Sequence, residues 1–301
     1  MRLSLRKRQI VWGYIFYFPW ILGTLVLFAW PLGRSLLLSF QKITDLAGLQ
    51  TRWIGLANYT RVFREDVDFI PRLLATVRDL AYDLPLILVL SLILALLLAR
   101  VKRGQTLLRA IFFLPVVIGS AGVIQELARA GANAELVGTS MRGIDILTTT
   151  QAGALPYEGV LAPVQGIVSR LVTIVWHTGV QILLFVAGLN SIPQSLYEAS
   201  RVDGATTWES FWKITLPMLS PVIMVAAIYT IVDSFTDPLN ETVAYIWAAG
   251  FGGGGMWSFG SGMELDYASA LSWLYFLVSS LLIVLLVAIA SRMVFYAGER
   301  E

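Results

Sequence analysis

The sequence predicts an all-α, polytopic membrane protein with six transmembrane helices, and two observations support this fold class. Hydrophobic residues make up 57% of the 301 residues and charged residues only 14%, against about 45–50% and about 25% in soluble domains. The apolar residues are also clustered, because six mainly apolar stretches of 16 or more residues, beginning at Ile10, Leu84, Ala110, Leu171, Ile214 and Tyr267, contain no Lys, Arg, Asp or Glu. A helix needs about 20 mainly apolar residues to cross a bilayer, and most of these stretches are long enough.

We expect one transmembrane domain over residues 1–301, because no separate soluble domain can be delimited. Its predicted spans lie at about 10–33, 80–100, 108–127, 169–191, 214–236 and 267–292. Pro19 and Pro31 are expected to kink and to end the first span. The basic residues Arg2, Arg6, Lys7 and Arg8 precede this span. By the positive-inside rule they predict a cytoplasmic N-terminus, and an even number of spans returns the C-terminus to the cytoplasm.

Three long connections lie on the predicted outer side. The first, Gln41–Asp79, has apolar residues at helical spacing, which predicts either an interfacial helix or a packed loop helix. The second, Arg129–Arg170, is predicted to be a loop or re-entrant segment. The third, Thr236–Asp266, contains the run Gly252–Gly255 without the Lys-Ser/Thr of a phosphate-binding loop, so we expect a flexible external connection.

Charge and cysteine content exclude several functions. The 22 Lys and Arg residues nearly balance the 20 Asp and Glu residues, so the chain has no basic surface for nucleic acid. No cysteine is present, which excludes a disulfide framework, a thiolate nucleophile and a Cys-ligated metal. We expect no cofactor and no metal. The apolar spans predict that membrane lipid surrounds the helices.

The connection over residues 195–217, on the predicted cytoplasmic side, has the most specific pattern. It is expected to form two short helices, because Ser195 with Glu198 and Thr206 with Glu209 both match the capping box. Gly204 between them tolerates a positive φ and allows a sharp turn. The second helix carries the apolar residues Trp208, Phe211, Trp212 and Leu216, followed by Pro217. We predict an amphipathic knob that docks into a groove of a partner protein.

This connection resembles the EAA loop of binding-protein-dependent ABC importer permeases, written EAA-x-x-DGA-x5-F-x2-I-x-LP. The matching residues are Glu198, Ala199, Asp203, Gly204, Ala205, Phe211, Ile214, Leu216 and Pro217. Ser200 is the one departure, where the family pattern has a third small residue, Ala. Further segments resemble the carbohydrate branch, the maltose-permease-like subunits: Trp53–Tyr59, Ala187-Gly188-Leu189 and Ile192-Pro193.

The resemblance implies the type I ABC importer permease fold in a bacterial-type inner (plasma) membrane. In that family the permease pairs with a second permease subunit and rests on two copies of a cytoplasmic ABC ATPase. It receives its sugar, by family association an oligosaccharide, from an extracellular or periplasmic solute-binding protein. ATP hydrolysis is expected in the partner, because this chain has no Walker A sequence and is not an enzyme. The resemblance assigns ATPase coupling to Glu198, Ala199, Asp203, Gly204, Ala205, Leu216 and Pro217; alternatively, Glu198 and Asp203 only cap helices.

Polar side chains inside the predicted spans are candidates for the substrate path, because ionisable groups at membrane depth are costly and usually face a cavity or a partner. The candidates are Trp176, His177 and Gln181 in the fourth span, and Thr230, Asp233 and Asp237 at the end of the fifth. Aromatic rings and carboxylate or amide groups suit a sugar. The alternatives are a core histidine at position 177 and an interhelical or intersubunit salt bridge at Asp233. We expect Asp83 to be interfacial.

Two other functions compete with the importer permease. A secondary transporter or channel for a polar solute would use intramembrane charges for ion coupling, but it often shows inverted repeats, and none is visible here. An intramembrane enzyme is the weaker alternative, because His-Glu-x-x-His and Gly-x-Ser-x-Gly motifs are both missing from the sequence.

Overall fold

The computed structural model describes residues 5–45, 50–100, 174–175, 177–237, 240–251 and 263–292. Helix predominates in these ranges, as the sequence predicts. The departure from an all-α structure is a small antiparallel hairpin of β1 (Gln41–Asp45) and β2 (Gln50–Trp53), in which Gln41 pairs with Trp53.

The described helices are named in chain order. They are α1 (Leu5–Thr24), α2 (Trp30–Ser39), α3 (Ala57–Arg64), α4 (Phe69–Arg100), α5 (Gly179–Ser191), α6 (Gln194–Val202), α7 (Thr207–Ser210), α8 (Leu216–Thr236), α9 (Glu241–Phe251) and α10 (Leu265–Ala290). Two π-helical turns, Leu25–Ala29 and Phe211–Thr215, join α1 to α2 and α7 to α8.

Four helical segments of the described chain are long and apolar enough to cross a membrane: Trp12–Ser39, Phe69–Ala99, Thr207–Phe251 and Leu265–Ala290. The pair α5 and α6, bent by 63° at its break, gives a fifth candidate. The predicted span at 108–127 lies outside the described residues, so the number six stays a prediction. Residue contacts divide the chain into two compact units, Met1–Leu73 with Glu241–Val278 and Leu74–Asn240 with Ser279–Glu301.

Pro31 does not end the first long helix, as the sequence had suggested, because α2 continues to Ser39. The backbone N–H of Trp30 bonds to the carbonyl of Leu25, five residues back, and so forms a π turn just before the proline. This local widening accommodates the missing N–H of Pro31. Leu216 makes the same bond to Phe211 before Pro217.

The first outer connection agrees with the second of the two predicted alternatives, a packed loop helix. It holds the hairpin and then α3, which buries Asn58 and Val62 and is therefore a packed loop helix. The side-chain amide of Asn58 donates to the carbonyls of Ser39 and Gln41, both at 3.1 Å, and ties α3 to the end of α2 and the start of β1. Gly55, at φ +62°, makes the turn between β2 and α3.

Helix α4 begins at Phe69, well before the start of the second predicted span at residue 80. Asp66 explains the early start, because its Oδ1 accepts the backbone N–H groups of Asp68 and Phe69, both at 2.9 Å. A carboxylate in this position satisfies donors that have no partner within the helix.

The third outer connection also contains more structure than predicted, because it includes α9. Gly250 allows α9 to pack closely on α10, since a Cβ there would lie 3.1 Å from the Cβ of Ala268. The run Gly252–Gly255 lies outside the described residues.

The core of the second unit joins α4, α5 and α8. Its buried members are Ala95, Leu98, Ile182, Phe185, Val186 and Ala226. Gly188 brings α5 against α8, because a Cβ at this position would lie 2.8 Å from Leu219 and 2.9 Å from Val222. Lipid tails are as apolar as these side chains, so close van der Waals packing holds the helices together in a membrane. This packing fixes the position of the polar groups described next.

Candidate functional site

A cavity of about 140 Å³ lies in the second unit, beside the last turns of α8. α4 contributes the apolar Leu80 and Ile87 and the carboxylate of Asp83 to its wall, and the other lining residues are polar. The residues that line it are Leu80, Asp83, Ile87, His177, Thr230, Asp233, Ser234, Asp237 and Asn240.

His177 is held between two carboxylates at this cavity. Its Nδ1 lies 2.8 Å from Oδ2 of Asp233, and its Nε2 lies 3.6 Å from Oδ2 of Asp237. Asp233 and Asp237 are four residues apart, so the helix places them on one face, as the sequence spacing predicts. The imidazole and both carboxylates are each less than a third exposed. The structure therefore brings these three predicted residues together.

Gln181 and Thr230 form a second polar contact next to this cluster. Both are buried, and Nε2 of Gln181 donates to Oγ1 of Thr230 at 2.9 Å. The Thr230 hydroxyl donates its own proton to the carbonyl of Ala226 at 2.8 Å. Thr230 therefore accepts from Gln181, which fixes the orientation of the amide. The opposite oxygen, Oε1 of Gln181, has no hydrogen-bond partner among the described residues.

Asp83 also lines the cavity, a position that the sequence analysis did not assign to it; its predicted place at the membrane interface stays a prediction. Trp176, a predicted substrate-path residue, lies outside the described residues. The described side chains include no group of three or more His, Cys, Asp or Glu residues placed to hold a metal ion.

The connection over residues 195–217 forms two helices and a sharp turn. α6 ends at Val202, and Gly204 follows with φ +77°. The N–H of Gly204 donates to the carbonyl of Arg201 at 3.1 Å, and that of Ala205 to the carbonyl of Ser200 at 2.9 Å. The left-handed conformation predicted for Gly204 is confirmed.

One of the two predicted capping boxes forms. Thr206 and Glu209 make both reciprocal bonds, from the Glu209 N–H to the Thr206 hydroxyl at 3.2 Å and from the Thr206 N–H to the Glu209 carboxylate at 2.8 Å. The box predicted at Ser195 and Glu198 is wrong, because the N-cap of α6 is Pro193 and Ser195 already lies inside the helix.

Aromatic side chains project from the second helix of this connection. Trp208 is 68% exposed and Trp212 is 49% exposed. Their rings pack edge to face at 5.5 Å, and the ring of Phe211 lies 5.4 Å from that of Trp212. Glu198, Ala199, Asp203 and Gly204 are exposed as well. The connection thus presents a rigid, mixed apolar and charged surface.

Hydrogen bonds fasten the two short helices to each other and fasten α6 to the π turn that precedes α8. The hydroxyls of Ser200 and Ser210 lie 3.1 Å apart in a buried contact, and those of Tyr197 and Thr215 lie 2.9 Å apart. Ser200, the departure from the family pattern, therefore has a structural role that alanine lacks. Leu216 and Pro217 begin α8, so the connection and the cavity carboxylates lie at opposite ends of one helical rod.

A separate polar cluster, which was not predicted from the sequence, lies in the first unit. Asp66 accepts from the hydroxyls of Tyr245 at 2.8 Å and Tyr267 at 2.5 Å. Arg61 pairs with Glu264 at 2.7 Å, and its guanidinium lies 4.2 Å from the centre of the Tyr267 ring.

This cluster shifts the pKa values of Asp66 and Arg61. Burial alone would raise the pKa of Asp66, but hydrogen bonds from Tyr267, from the backbone of Phe69 and from Tyr245 outweigh it, so this pKa lies below 3.8. Burial alone would lower the pKa of Arg61, and the hydrogen bond and charge of Glu264 reverse the effect to a net rise.

Comparison with known sequences identifies a family. The model of the family described as "Binding-protein-dependent transport system inner membrane component" matches residues 68–300. The probable ABC transporter permease protein YesP of Bacillus subtilis (strain 168) is 29% identical over 99% of this chain and 96% of its own length. The lactose transport system permease protein LacF of Rhizobium radiobacter is 29% identical over 100% of this chain and 98% of its own length. The trehalose/maltose transport system permease protein MalF of Thermococcus litoralis is 30% identical over 77% of this chain and 76% of its own length.

Comparison with solved structures identifies the fold. A chain in the crystal structure of a bacterial ABC transporter involved in the import of the acidic polysaccharide alginate has a TM-score of 0.65 at 20% identity, covering 95% of this chain and 97% of that one. A structure of the bacterial alginate ABC transporter in complex with an alginate pentasaccharide-bound periplasmic protein gives a TM-score of 0.66 at 18% identity, covering 97% and 98%. These likenesses show that the chain has the fold of an ABC importer permease.

Proposed function

Because the chain belongs to the family of binding-protein-dependent transport system inner membrane components, we propose that it is the permease subunit of an ATP-driven sugar importer. It resides in a bacterial-type inner membrane as a multi-pass protein. It is not an enzyme, and ATP hydrolysis belongs to a partner ATPase.

Sugar is the solute class that the relatives support. Permeases named for lactose and for trehalose and maltose are similar to this chain over most or all of its length. The cavity adds chemical support, because carboxylates, an amide, hydroxyls and apolar walls suit a molecule with many hydroxyl groups. We infer an oligosaccharide that is delivered by an extracellular or periplasmic solute-binding protein.

The observation that carries the mechanism is the single helical rod that joins residues 195–217 to the cavity. It runs from α7 through the π turn Phe211–Thr215 to the end of α8. From Phe211 to Asp233 it extends for about 30 Å at about 1.5 Å per residue. The segment is helical throughout, with the π turn and Pro221 inside it, so the coupling loop and the cavity carboxylates Asp233 and Asp237 belong to one continuous helix.

In this mechanism, residues 195–217 are the coupling loop. It docks on one of two copies of a cytoplasmic ATPase, with Trp208 and Trp212 as apolar anchors and Gly204 setting the turn. The other coupling residues are Glu198, Ala199, Asp203, Ala205, Leu216 and Pro217. Closure of the ATPases moves this loop, and the rod transmits the movement to the cavity, which opens alternately inward and outward. Six spans in the type I arrangement, with both termini cytoplasmic, complete the proposal.

His177, Gln181, Thr230, Asp233 and Asp237 are the proposed substrate-path residues, together with Trp176. The carboxylates that line the cavity accept hydrogen bonds from sugar hydroxyls. A second permease subunit completes the path.

The test is purification of the tagged chain from native membranes in mild detergent, with mass spectrometry of the proteins that come with it. The proposal predicts an ABC ATPase and a second permease. The complex, reconstituted in liposomes with its binding protein, is then screened for ATP-dependent uptake of labelled oligosaccharides. A chain that purifies alone and moves solute without ATP would contradict the proposal and favour a secondary transporter.

A further inference from the structure

The short helices α6 and α7 and the π turn after them are fastened together by their own side chains. The hydroxyls of Tyr197 and Thr215 lie 2.9 Å apart, and those of Ser200 and Ser210 lie 3.1 Å apart in a buried contact. These bonds join α6 to the last residue of α7 and to the end of the π turn. Residues 194–215 therefore form one rigid unit, which we call the loop body.

Helical hydrogen bonding is interrupted where the loop body joins α8. Pro217 and Pro221 have no N–H, so the carbonyls of Lys213 and Pro217 cannot receive the usual helical bond from them. The two prolines are four residues apart and share one face of the helix. Leu219, on the opposite face, is fully buried. A helix that loses hydrogen bonds at prolines along one face bends at that place.

A second interruption lies at the other end of the loop body. α5 ends at Ser191, and the helix axis turns by 63° before α6 begins at Gln194. The N–H of Ile192 bonds to the carbonyl of Leu189 at 3.4 Å, three residues back instead of four. Pro193, the next residue, has no N–H. The loop body is thus connected to α5 and to α8 through two breaks in the helical bonding.

A serine hydroxyl supplies a hydrogen bond at each break. Ser191 donates to the carbonyl of Gly188, and Ser220 donates to the carbonyl of Pro217, both at 2.7 Å. Within a membrane, serine side chains satisfy backbone carbonyls that have lost their backbone donor at a proline. A hydroxyl rotates to suit its acceptor, so it can keep its bond while the backbone angles change. Each break can therefore change its angle without leaving a bare carbonyl in lipid.

Both breaks lie next to the close contact of α5 with α8. A Cβ at Gly188 would lie 2.8 Å from Leu219 and 2.9 Å from Val222. Gly188 precedes the break at 192–193 by about one helical turn, and Leu219 lies within the break at 217–221. The two breaks and this contact together have the arrangement of a hinge, with the contact at Gly188 as its pivot.

We propose that the loop body turns about this hinge when the ATPases close, and that α8 from Val222 onward keeps its packing on α4 and α5. The inference rests on the proposed function, because it takes residues 195–217 to be the coupling loop. The turn displaces the start of α8 relative to Gly188, and the helix carries this displacement to the cavity. The hinge residues are the prolines at 193, 217 and 221 and the serines at 191 and 220.

The size of the movement follows from the geometry of α6. A kink of about 20° is typical of a proline in a helix. α6 begins at one break and is nine residues long, so it extends for about 13 Å at about 1.5 Å per residue. A turn of about 20° therefore moves its far end by about 4–5 Å.

Distances between spin labels test the hinge in the complete importer. The chain has no cysteine, so two introduced cysteines carry the labels once any cysteines of the partner subunits are replaced. The hinge pair is Val202→Cys, 87% exposed at the far end of α6, with Ile93→Cys on α4. The matched control pair is Val225→Cys, in α8 beyond the hinge, with the same Ile93→Cys. Each distance is measured by double electron–electron resonance without nucleotide and with ATP and vanadate.

We expect the Val202–Ile93 distance to change by about 4–5 Å between the two states and the Val225–Ile93 distance by at most about 2 Å. Pro221→Ala restores a backbone N–H and stiffens the hinge, so it should reduce the larger change and lower the number of sugars imported per ATP. Pro19→Ala, which restores an N–H inside α1, is the proline control and should alter neither quantity.

Equal changes in the two pairs would overturn the inference, because the loop body and α8 would then move as one piece. A change at position 202 that neither Pro221→Ala nor Pro217→Ala reduces would overturn it as well, and the second variant keeps the test decisive if the first fails to fold. Unchanged distances in both pairs, in an importer with ATP-dependent uptake, would also overturn the hinge and leave the proposed function intact. A complex without ATP-dependent uptake would instead refute the proposed function.

Discussion

Gly204 offers the sharpest test of the proposed coupling loop. Its φ of +77° lies in the left-handed region, and a Cβ at this position would have no atom of the chain within 4 Å. Gly204→Ala therefore strains the backbone without creating a clash inside the chain. For residues other than glycine, this conformation costs about 1–2 kcal/mol.

A cost of this size has a measurable effect on the loop. It lowers the population of the native turn relative to relaxed conformations by about 5- to 30-fold. Gly204→Asn should lose less, because asparagine visits the left-handed region more readily than alanine does. Steric interference with the ATPase would give the opposite order, since asparagine is the larger residue.

The assay is the complete importer in liposomes, with sugar uptake and ATP hydrolysis measured on the same sample. We expect Gly204→Ala to lower the number of sugars imported per ATP and Gly204→Asn to retain more of the coupling. Gly55→Ala is the matched control, because Gly55 also has a positive φ of +62° and open space around its Cβ position, but lies outside the loop. Wild-type coupling in Gly204→Ala, or an equal loss in Gly55→Ala, would refute the role of this turn.

Three further predictions concern packing, capping and pH. Gly188→Val should overpack α5 against α8 and destabilise the purified chain by about 1–3 kcal/mol, which is measured as a lower unfolding temperature. Gly23→Val is the control, because a Cβ at this position would have no atom within 4 Å, and it should change the unfolding temperature little. Thr206→Ala removes the capping box of α7, so we expect about 1 kcal/mol of local stability to be lost and faster amide hydrogen exchange over α7; unchanged exchange would contradict the box. Asp66 has a folded-state pKa below 3.8, so its contribution to stability is present above that pH and is lost as the pH falls towards the folded-state pKa. The difference in unfolding temperature between wild type and Asp66→Asn should accordingly be constant near neutral pH and shrink below about pH 4; a difference that grows in acid would show that the sign is wrong.

Local spacing predicted much of the candidate site. Asp233 and Asp237 share a helix face because they are four residues apart, and Thr206 with Glu209 has the exact spacing of a capping box. Gly204 could be identified because few other residues tolerate its conformation. These features depend on a few neighbouring residues, which a sequence displays directly.

Two kinds of feature could not be predicted: contacts between residues that are far apart in the sequence, and helix ends at which two residues compete for the N-cap position. Asp83 meets His177 at one cavity only through the packing of the helices, which sequence spacing does not encode. Pro193 occupies the N-cap position of α6, which the sequence analysis had assigned to Ser195. Asp66 starts α4 early and also joins Tyr245 to Tyr267, although these tyrosines are far from it in the sequence.

The central claim, that the chain imports sugar along the cavity at the end of α8, is tested most directly by uptake kinetics. The measurement is ATP-dependent uptake of the identified sugar by the reconstituted importer with wild type, Asp233→Asn or Asp79→Asn. Asp79→Asn is the control, because Asp79 pairs with Arg78 at a half-exposed position of the same unit and does not line the cavity.

We predict that Asp233→Asn assembles with its partners and hydrolyses ATP, but takes up sugar with a KM raised about tenfold, which corresponds to the loss of a hydrogen bond to a charged group. Asp79→Asn should transport like wild type. Unchanged uptake kinetics in Asp233→Asn, with the chain correctly assembled, would contradict the assignment of this cavity to the sugar path.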